Sequence, residues 1–156
     1  MFINDNLSRK ILVYDLEGNF KRSFKHKEGT MYDKIYNFDQ DNLLCHDGYS
    51  SNNGEANEQS FMLISKSNGN ITKEIRIPFN KKILTAVLLQ DPKNGMTYGA
   101  TPSSDYPIIP IHNNWILIEP SSDTLFTFSS DLQLKPFIIR KPSIQSMNCL
   151  LYTSPS

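Results

Sequence analysis

The chain has 156 residues, about the size of one domain, and its 16 basic and 16 acidic residues leave no formal net charge. A chain without net charge has no overall field to attract nucleic acid or an anionic membrane surface, so we expect neither as a partner. Two cysteines imply no disulfide framework, and the longest apolar run, residues 83–89, is too short to span a bilayer.

Three hairpins follow one another along the chain, each with an apolar strand, a polar turn and a second strand. They occupy residues 11–24, 61–77 and 124–139. Side chains alternate most clearly in the second strands of the first two hairpins, which is typical of half-buried strands. Gly18 and Gly69 in the first two turns are predicted to adopt a positive φ, which costs glycine no steric strain.

Other strand-like segments precede the hairpins. They are residues 2–4, 32–38, 43–47, 83–89 and 115–118. Segment 83–89 is predicted to open a third sheet, which continues through 115–118 and closes with the third hairpin. The first two turn glycines lie 51 residues apart, a spacing typical of a four-stranded propeller blade.

The predicted fold class is therefore all-β, a partial β-propeller of about two and a half four-stranded antiparallel blades. The predicted boundaries are residues 1–28 for the end of one blade, 29–79 for the second, and 80–148 for the third with a long insertion. Because a propeller closes into a ring of about four to eight blades, an open arc would leave apolar faces in water. We therefore expect this stretch to be prone to aggregation when made alone.

The last eight residues, 149–156, resemble one reading frame of a transposon adapter used in sequencing libraries. That frame reads Cys-Leu-Leu-Tyr-Thr-Ser-Pro-Ser and matches at every position. We expect residues 149–156 to be an adapter-derived tail that is not native, with a natural tail as the alternative. On the first interpretation Cys45 is the only native cysteine.

Two long loops are candidates for binding surfaces. Residues 47–59 and 90–107 are rich in Gly, Asn, Ser and Pro. Such loops are either disordered excursions or the ligand-facing loops at one end of a propeller.

Several single residues have structural interpretations. Trp115 begins an apolar strand and is predicted to be core, with a sugar-stacking platform as the alternative. Asp123 is predicted to accept backbone amides at the entrance of the strand that begins at Thr124. The basic cluster is predicted to protect a strand edge or to solvate a face. It consists of Lys21, Arg22, Lys25, His26 and Lys27.

The sequence Cys45-His46-Asp47 brings three reactive side chains together. Strand alternation points the His46 side chain to the face opposite Cys45 and Asp47, so the three cannot converge as a catalytic triad. No Gly-rich phosphate loop and no Gly-x-Ser-x-Gly elbow occurs in the chain.

Metal sites are not predicted. Asp39 and Asp41 begin like a calcium loop, but Leu44 and Ser50 stand where the loop needs Gly and Glu. The three histidines, His26, His46 and His112, have no zinc-ligand spacing. We therefore assign no catalytic, metal or cofactor residue, and the ligand-binding residues stay open.

Three stretches of the chain carry a resemblance to a known family. They are residues 11–20, 122–128 and 136–147. The chain resembles the six-bladed β-propellers abundant in Bacteroides-type bacteria, which are distant relatives of the NHL-repeat propellers. The resemblance covers residues 1–148 and implies an exported protein of the cell envelope, in the periplasm or as an outer-membrane lipoprotein, although this stretch contains no signal peptide. It implies no catalytic positions.

Three functions remain, and the first is favoured. The chain is predicted to be a non-catalytic binding or interaction module for a protein or a glycan. The second hypothesis is a glycan-active enzyme, whose two carboxyl groups would lie about 5–9.5 Å apart. Its only plausible carboxylates here are Asp47, Glu119 and Asp123, with others in blades outside this stretch. The third is a structural member of an envelope assembly.

Overall fold

A computed structural model describes residues 1–48, 51–52, 55–56, 58–82, 87–90, 97–100 and 106–143. Within these residues the chain forms fifteen β-strands and no helix, which confirms the predicted all-β class. Eleven strands form three antiparallel sheets, and the other four form two separate hairpins. The proposed adapter tail, residues 149–156, lies outside the described residues, as does much of the loops 47–59 and 90–107.

The strands follow a meander in each sheet, so that neighbours in sequence are neighbours in space. Sheet I consists of β1 (Phe2–Asp5), β2 (Lys10–Tyr14) and β3 (Phe20–Lys25). Sheet II consists of β4 (Lys34–Asn37), β5 (Asn42–His46), β8 (Phe61–Ser65) and β9 (Ile71–Ile75). Between β5 and β8 lies a short hairpin, β6 (Ser51–Asn52) and β7 (Glu55–Ala56).

Sheet III follows a second hairpin. The hairpin pairs β10 (Val87–Gln90) with β11 (Thr97–Ala100). Sheet III consists of β12 (Ile108–Ile111), β13 (Asn114–Leu117), β14 (Thr124–Ser129) and β15 (Leu134–Ile139). The three hairpins predicted from the sequence are β2–β3, β8–β9 and β14–β15.

The predicted turn glycines have the backbone that the sequence requires. Gly18 and Gly69 adopt φ values of 86° and 78°. The third turn has no glycine, and Leu132 takes the left-handed conformation there with a φ of 64°. Each hairpin closes with the same type of backbone bond, from Asp15 N–H to Asn19 O, Ser65 N–H to Asn70 O and Ser129 N–H to Gln133 O. The three hairpins therefore align residue by residue up to their turns.

Sheet II is covered on both faces. Along β5 and β8 successive side chains point to opposite sides. Those on one side pack with Ile11 of sheet I and Tyr32 at the first junction, which we call junction I–II. Those on the other side pack with sheet III at the second junction, which we call junction II–III. The continuous apolar runs at 43–45 and 61–64 reflect this double burial.

Sheets I and III are each covered on only one face. On sheet I, Ile3 and Phe20 lie on the face away from sheet II and are 41% and 57% exposed. On sheet III, Ile109 and Ile138 lie on the face away from sheet II and are 38% and 47% exposed. The molecule is therefore a stack of three sheets with a partly exposed apolar face at each end.

The start of sheet III differs from the prediction. Segment 83–89 was expected to open it, but the described part of that segment, Val87–Gln90, pairs with Thr97–Ala100 instead. The strand that opens sheet III, Ile108–Ile111, was missed because Pro110 argues against a strand. Proline is tolerated there because β12 is an edge strand with one neighbour, β13.

Candidate functional site

Buried polar side chains gather where the loops after β5 and β13 meet between sheets II and III. Lys82 Nζ donates to Ser60 Oγ at 2.6 Å and to Glu119 Oε2 at 2.8 Å. The other carboxylate oxygen of Glu119, Oε1, accepts the backbone N–H of Ser121 at 3.0 Å. Ser60 directly precedes β8 and Glu119 lies just after β13, so Lys82 links the two sheets.

The electrostatics of this group favour a fixed ion pair. The side chain of Glu119 is 1% exposed. Burial alone would raise the pKa of Glu119, but Lys82 and the N–H of Ser121 more than offset burial and hold the pKa below its ordinary value. Both carboxylate oxygens are occupied by these donors. Glu119, which the sequence offered as a catalytic carboxylate, is therefore placed to join two sheets.

A second pair lies at the end of β5. His46 Nδ1 lies 2.7 Å from Asp33 Oδ1, and the ring packs against Phe61 with centroids 4.9 Å apart. A histidine oriented by a carboxylate is one half of a nucleophile-activating arrangement. The thiol next to it in sequence, Cys45, packs into junction I–II on the other face, and burial raises the pKa of that thiol. The prediction that Cys45 and His46 cannot converge is confirmed.

A neutral histidine closes junction I–II. The backbone N–H of Tyr32 donates to His26 Nδ1 at 3.3 Å, so the proton lies on Nε2, which donates to Asn4 Oδ1 at 2.9 Å. The amide of Asn4 also donates to Tyr32 O at 2.6 Å. Burial lowers the pKa of His26, against a smaller opposing effect of the Asp47 carboxylate. This network ties the loop before β4 to β1.

The other candidate carboxylates are also placed within the structure. Asp47 is buried, and its backbone N–H donates to Ser60 O at 2.8 Å. The carboxylate of Asp123 accepts a hydrogen bond from the Ser143 hydroxyl. At the entrance of β14 the N–H of Thr124 donates to Ser122 Oγ at 3.3 Å. The acceptor at that amide is therefore Ser122, whereas the sequence predicts Asp123.

Trp115 has the structural role that the sequence predicts, and Asp39 has a turn role that the sequence did not predict. The ring of Trp115 lies 4.5 Å from the ring of Phe38 and packs against the core of junction II–III. This confirms Trp115 as a core residue. Asp39 Oδ1 accepts the N–H groups of Asp41 and Asn42 at 2.8 and 2.6 Å, which makes a tight turn.

The predicted basic cluster divides between two roles. Arg22 donates from Nη2 to Lys66 O at 2.7 Å and from Nη1 to Ser67 O, so it bridges sheet I to the β8–β9 turn. Lys21 pairs with Asp15 at 2.8 Å on the surface. In the parts of the chain that the structure describes, no three His, Cys, Asp or Glu side chains gather as metal ligands.

An open groove runs between the outer strands of sheets I and II. It consists of two depressions with volumes of about 400 and 490 Å³, which share Lys27 and Ile71. We call it the I–II groove. Its charged side chains carry both signs in near balance, and in the part of the chain that the structure describes its apolar lining is limited to Met62 and Ile71. The charged side chains are Lys25, Lys27, Arg76, Glu28, Glu58 and Glu74.

Sequence reasoning did not find these pairs for a physical reason. Lys82 and Glu119 are 37 residues apart and belong to loops of different sheets. Asp33, the partner of His46, lies 13 residues earlier in the chain, directly before β4. The sequence signal for the second pair is that Asp33 and His46 lie in the consecutive strand segments 32–38 and 43–47 of one predicted blade.

Comparisons with known proteins do not add an identity to this geometry. No family model, curated protein or solved structure matches the chain. No described segment forms a helix with the length and apolarity that crossing a membrane requires. The function must therefore be argued from the stack of sheets, its junctions and its groove.

Proposed function

We propose that this chain is a non-catalytic interaction module, built as part of a β-propeller of the bacterial cell envelope. In this proposal the I–II groove binds an extended segment of a protein partner. The observation that carries the proposal is the groove itself, which consists of two adjoining open depressions lined by charges of both signs. The envelope location rests on the family resemblance alone.

The stacking of the sheets supports the propeller part of the proposal. Three antiparallel meanders pack face to face in chain order, and the middle one is buried on both sides. Propeller blades bury their faces in this way. A single sandwich would place its apolar side chains between two sheets and leave no sheet buried on both faces.

The lining of the groove supports a protein ligand. Small-molecule pockets are mostly apolar, whereas among the described residues the apolar lining of this groove consists of Met62 and Ile71. A glycan site would be expected to offer a Phe, Tyr or Trp ring as a stacking surface, and none of these is among the described side chains that line either depression. Balanced charges along an extended groove suit a peptide segment that itself carries both charges.

The candidate carboxylates support a non-catalytic role. Glu119 is held by Lys82 and Ser121, and Asp123 accepts a bond from Ser143. Catalysis of glycoside hydrolysis needs one carboxyl group free to protonate the leaving oxygen. An ionised Glu119 with both oxygens occupied is poorly suited to that step.

The test is a selection of ligands by the full chain from a peptide library and, in parallel, from a glycan array. We expect peptides with mixed charges, whose affinity falls about tenfold or more in the variant Arg76→Glu and decreases with salt. Arg76 is exposed in the groove, so the substitution leaves the core intact.

The matched control is Lys135→Glu, which makes the same change of charge on exposed β15 of sheet III. It should leave peptide affinity unchanged. Ligands that bind both variants and the native chain equally would refute the I–II groove as the binding site. Glycans as the only ligands would refute the protein partner, and turnover of a bound glycan would refute the non-catalytic role.

A further inference from the structure

The two junctions of the molecule are built by the same rule. The aligned hairpins place Leu12, Met62 and Phe126 at one position of the repeat. At this position Met62 faces sheet I and Phe126 faces sheet II, so each points towards the preceding sheet. We call this the preceding side of a sheet.

The opposite side follows the same rule. Ile11, Phe61 and Leu125 share the position one residue earlier in the repeat. Ile11 packs into junction I–II and Phe61 into junction II–III, so each points towards the following sheet. We call this the following side. Every junction therefore joins a following side to a preceding side.

The two sides that remain open are one of each kind. Sheet I exposes its preceding side, with Ile3, Leu12, Tyr14 and Phe20. Sheet III exposes its following side, with Ile109, Ile116, Leu125 and Ile138. Both sides carry partly exposed apolar side chains beside polar ones, such as Lys10 on sheet I and Lys135 on sheet III. One is a preceding side and the other a following side, which is the combination that each internal junction joins.

We propose that a second copy of this chain covers these faces, with sheet III of each copy packed against sheet I of the other. The junction so formed continues the rule of the two internal junctions. Two copies bring six sheets around one axis. Six lies within the range of about four to eight blades that closes a ring. The pair is then a two-fold symmetric dimer in which the open sides of the described sheets I and III are covered.

The test uses the full chain and measures mass in solution by light scattering across a range of concentrations. The native chain should have twice the mass of one chain. Ile3→Glu blocks sheet I and Ile109→Glu blocks sheet III, at positions that are already partly exposed. Each variant alone should lose both contacts between the two copies, because each contact needs an intact sheet I and an intact sheet III. The variant should then have the mass of a single chain.

Mixing the two variants is the decisive step. Sheet III of the Ile3→Glu chain and sheet I of the Ile109→Glu chain are both intact, so the mixture should regain a one-to-one pair. The control Leu16→Glu adds the same charge at an exposed turn residue and should keep the native mass. Arg76→Glu in the groove should also keep it, which separates this proposal from the proposed function.

Three results would overturn the proposal. They are a native chain that stays single at all concentrations, a dimer that survives either substitution alone, and two variants that do not pair when mixed. If circular dichroism shows that one of these variants is unfolded, Phe20→Glu and Ile138→Glu replace the pair on the same faces and the same outcomes apply.

Discussion

Junctions I–II and II–III join the same two kinds of sheet side and are stabilised by different chemistry. Junction II–III packs aromatic rings, with Phe38 and Phe128 at a centroid distance of 5.4 Å, and is closed by the buried pair of Lys82 and Glu119. Junction I–II packs mostly aliphatic side chains around the buried ring of Tyr32 and is closed by the neutral network around His26. Sheet stacking therefore does not depend on one kind of contact, and the two junctions should respond differently to substitution and to pH.

The largest effect is expected in the aromatic core of junction II–III. Phe128→Ala should lower the free energy of unfolding by about 3–5 kcal/mol, because it removes a fully buried ring and leaves a cavity. Chemical denaturation measures this change. Phe137→Ala, in the half-exposed position on β15, is the control and should cost below about 1 kcal/mol. Equal costs would show that junction II–III is not packed as described.

The ion pair should give the next largest effect. Glu119→Gln leaves Lys82 without its carboxylate in a largely buried site and should cost about 2–3 kcal/mol. Glu74→Gln breaks an exposed pair with Arg76 and should cost at most about 0.5 kcal/mol.

A double variant separates the charge from the packing. Lys82→Met combined with Glu119→Gln removes the unpaired charge and should recover much of the lost stability. If the double variant is no more stable than Glu119→Gln alone, the loss comes from packing and the ion pair does not close the junction.

Junction I–II can be tested at its point of closest approach. A Cβ at Gly69 would overlap the ring of Phe24, whereas a Cβ at Gly18 would meet nothing within 4 Å, and both residues have a positive φ. Gly18→Ala should therefore cost about 1 kcal/mol, and Gly69→Ala about 1–2 kcal/mol more because the ring must move. Thermal or urea unfolding measures both. Equal losses would place the β8–β9 turn away from sheet I.

The smallest expected effect is a difference in pH response between the junctions. The lowered pKa of His26 means that the unfolded chain binds a proton near pH 6.5, while the folded chain binds it only at lower pH. The unfolded state therefore binds more protons in this window, and stability falls as the pH decreases below 6.5. The lowered pKa of Glu119 predicts that junction II–III keeps its ion pair until the pH falls below 4.5.

The melting temperature as a function of pH tests this order. The native chain should lose stability between pH 7 and pH 5, and His26→Gln should lose less over the same interval, since its side chain does not titrate. His112→Gln, at the exposed β12–β13 turn, should keep the native profile. A profile that is the same for all three chains would show that His26 does not contribute to the pH dependence of stability.

The sequence predicted the hairpins better than the sheets that contain them. Turn chemistry at Gly18 and Gly69 is local, so it is visible in the sequence. Pairing between segments is not, and residues 83–89 are predicted to open sheet III although their described part belongs to a separate hairpin. Pro110 hid an edge strand, because only the sheet order shows that its missing N–H is tolerated.

The candidate site was less predictable than the fold. Glu119 was recognised as a carboxylate of interest, but its partner Lys82 comes from a loop of another sheet. The I–II groove depends on the packing of two sheets, and none of its lining residues forms a motif. Such sites arise from tertiary packing, which local patterns do not encode.

Sheet II lies in the middle of the stack and is covered on both faces. Hydrogen exchange of the full chain, measured at a concentration where light scattering shows single chains, tests this arrangement most directly. The amides of β5 and β8 should exchange slowest, and those of β1 and β15 should exchange before global unfolding. Uniform protection across the three sheets, as expected for one closed barrel, would contradict the account.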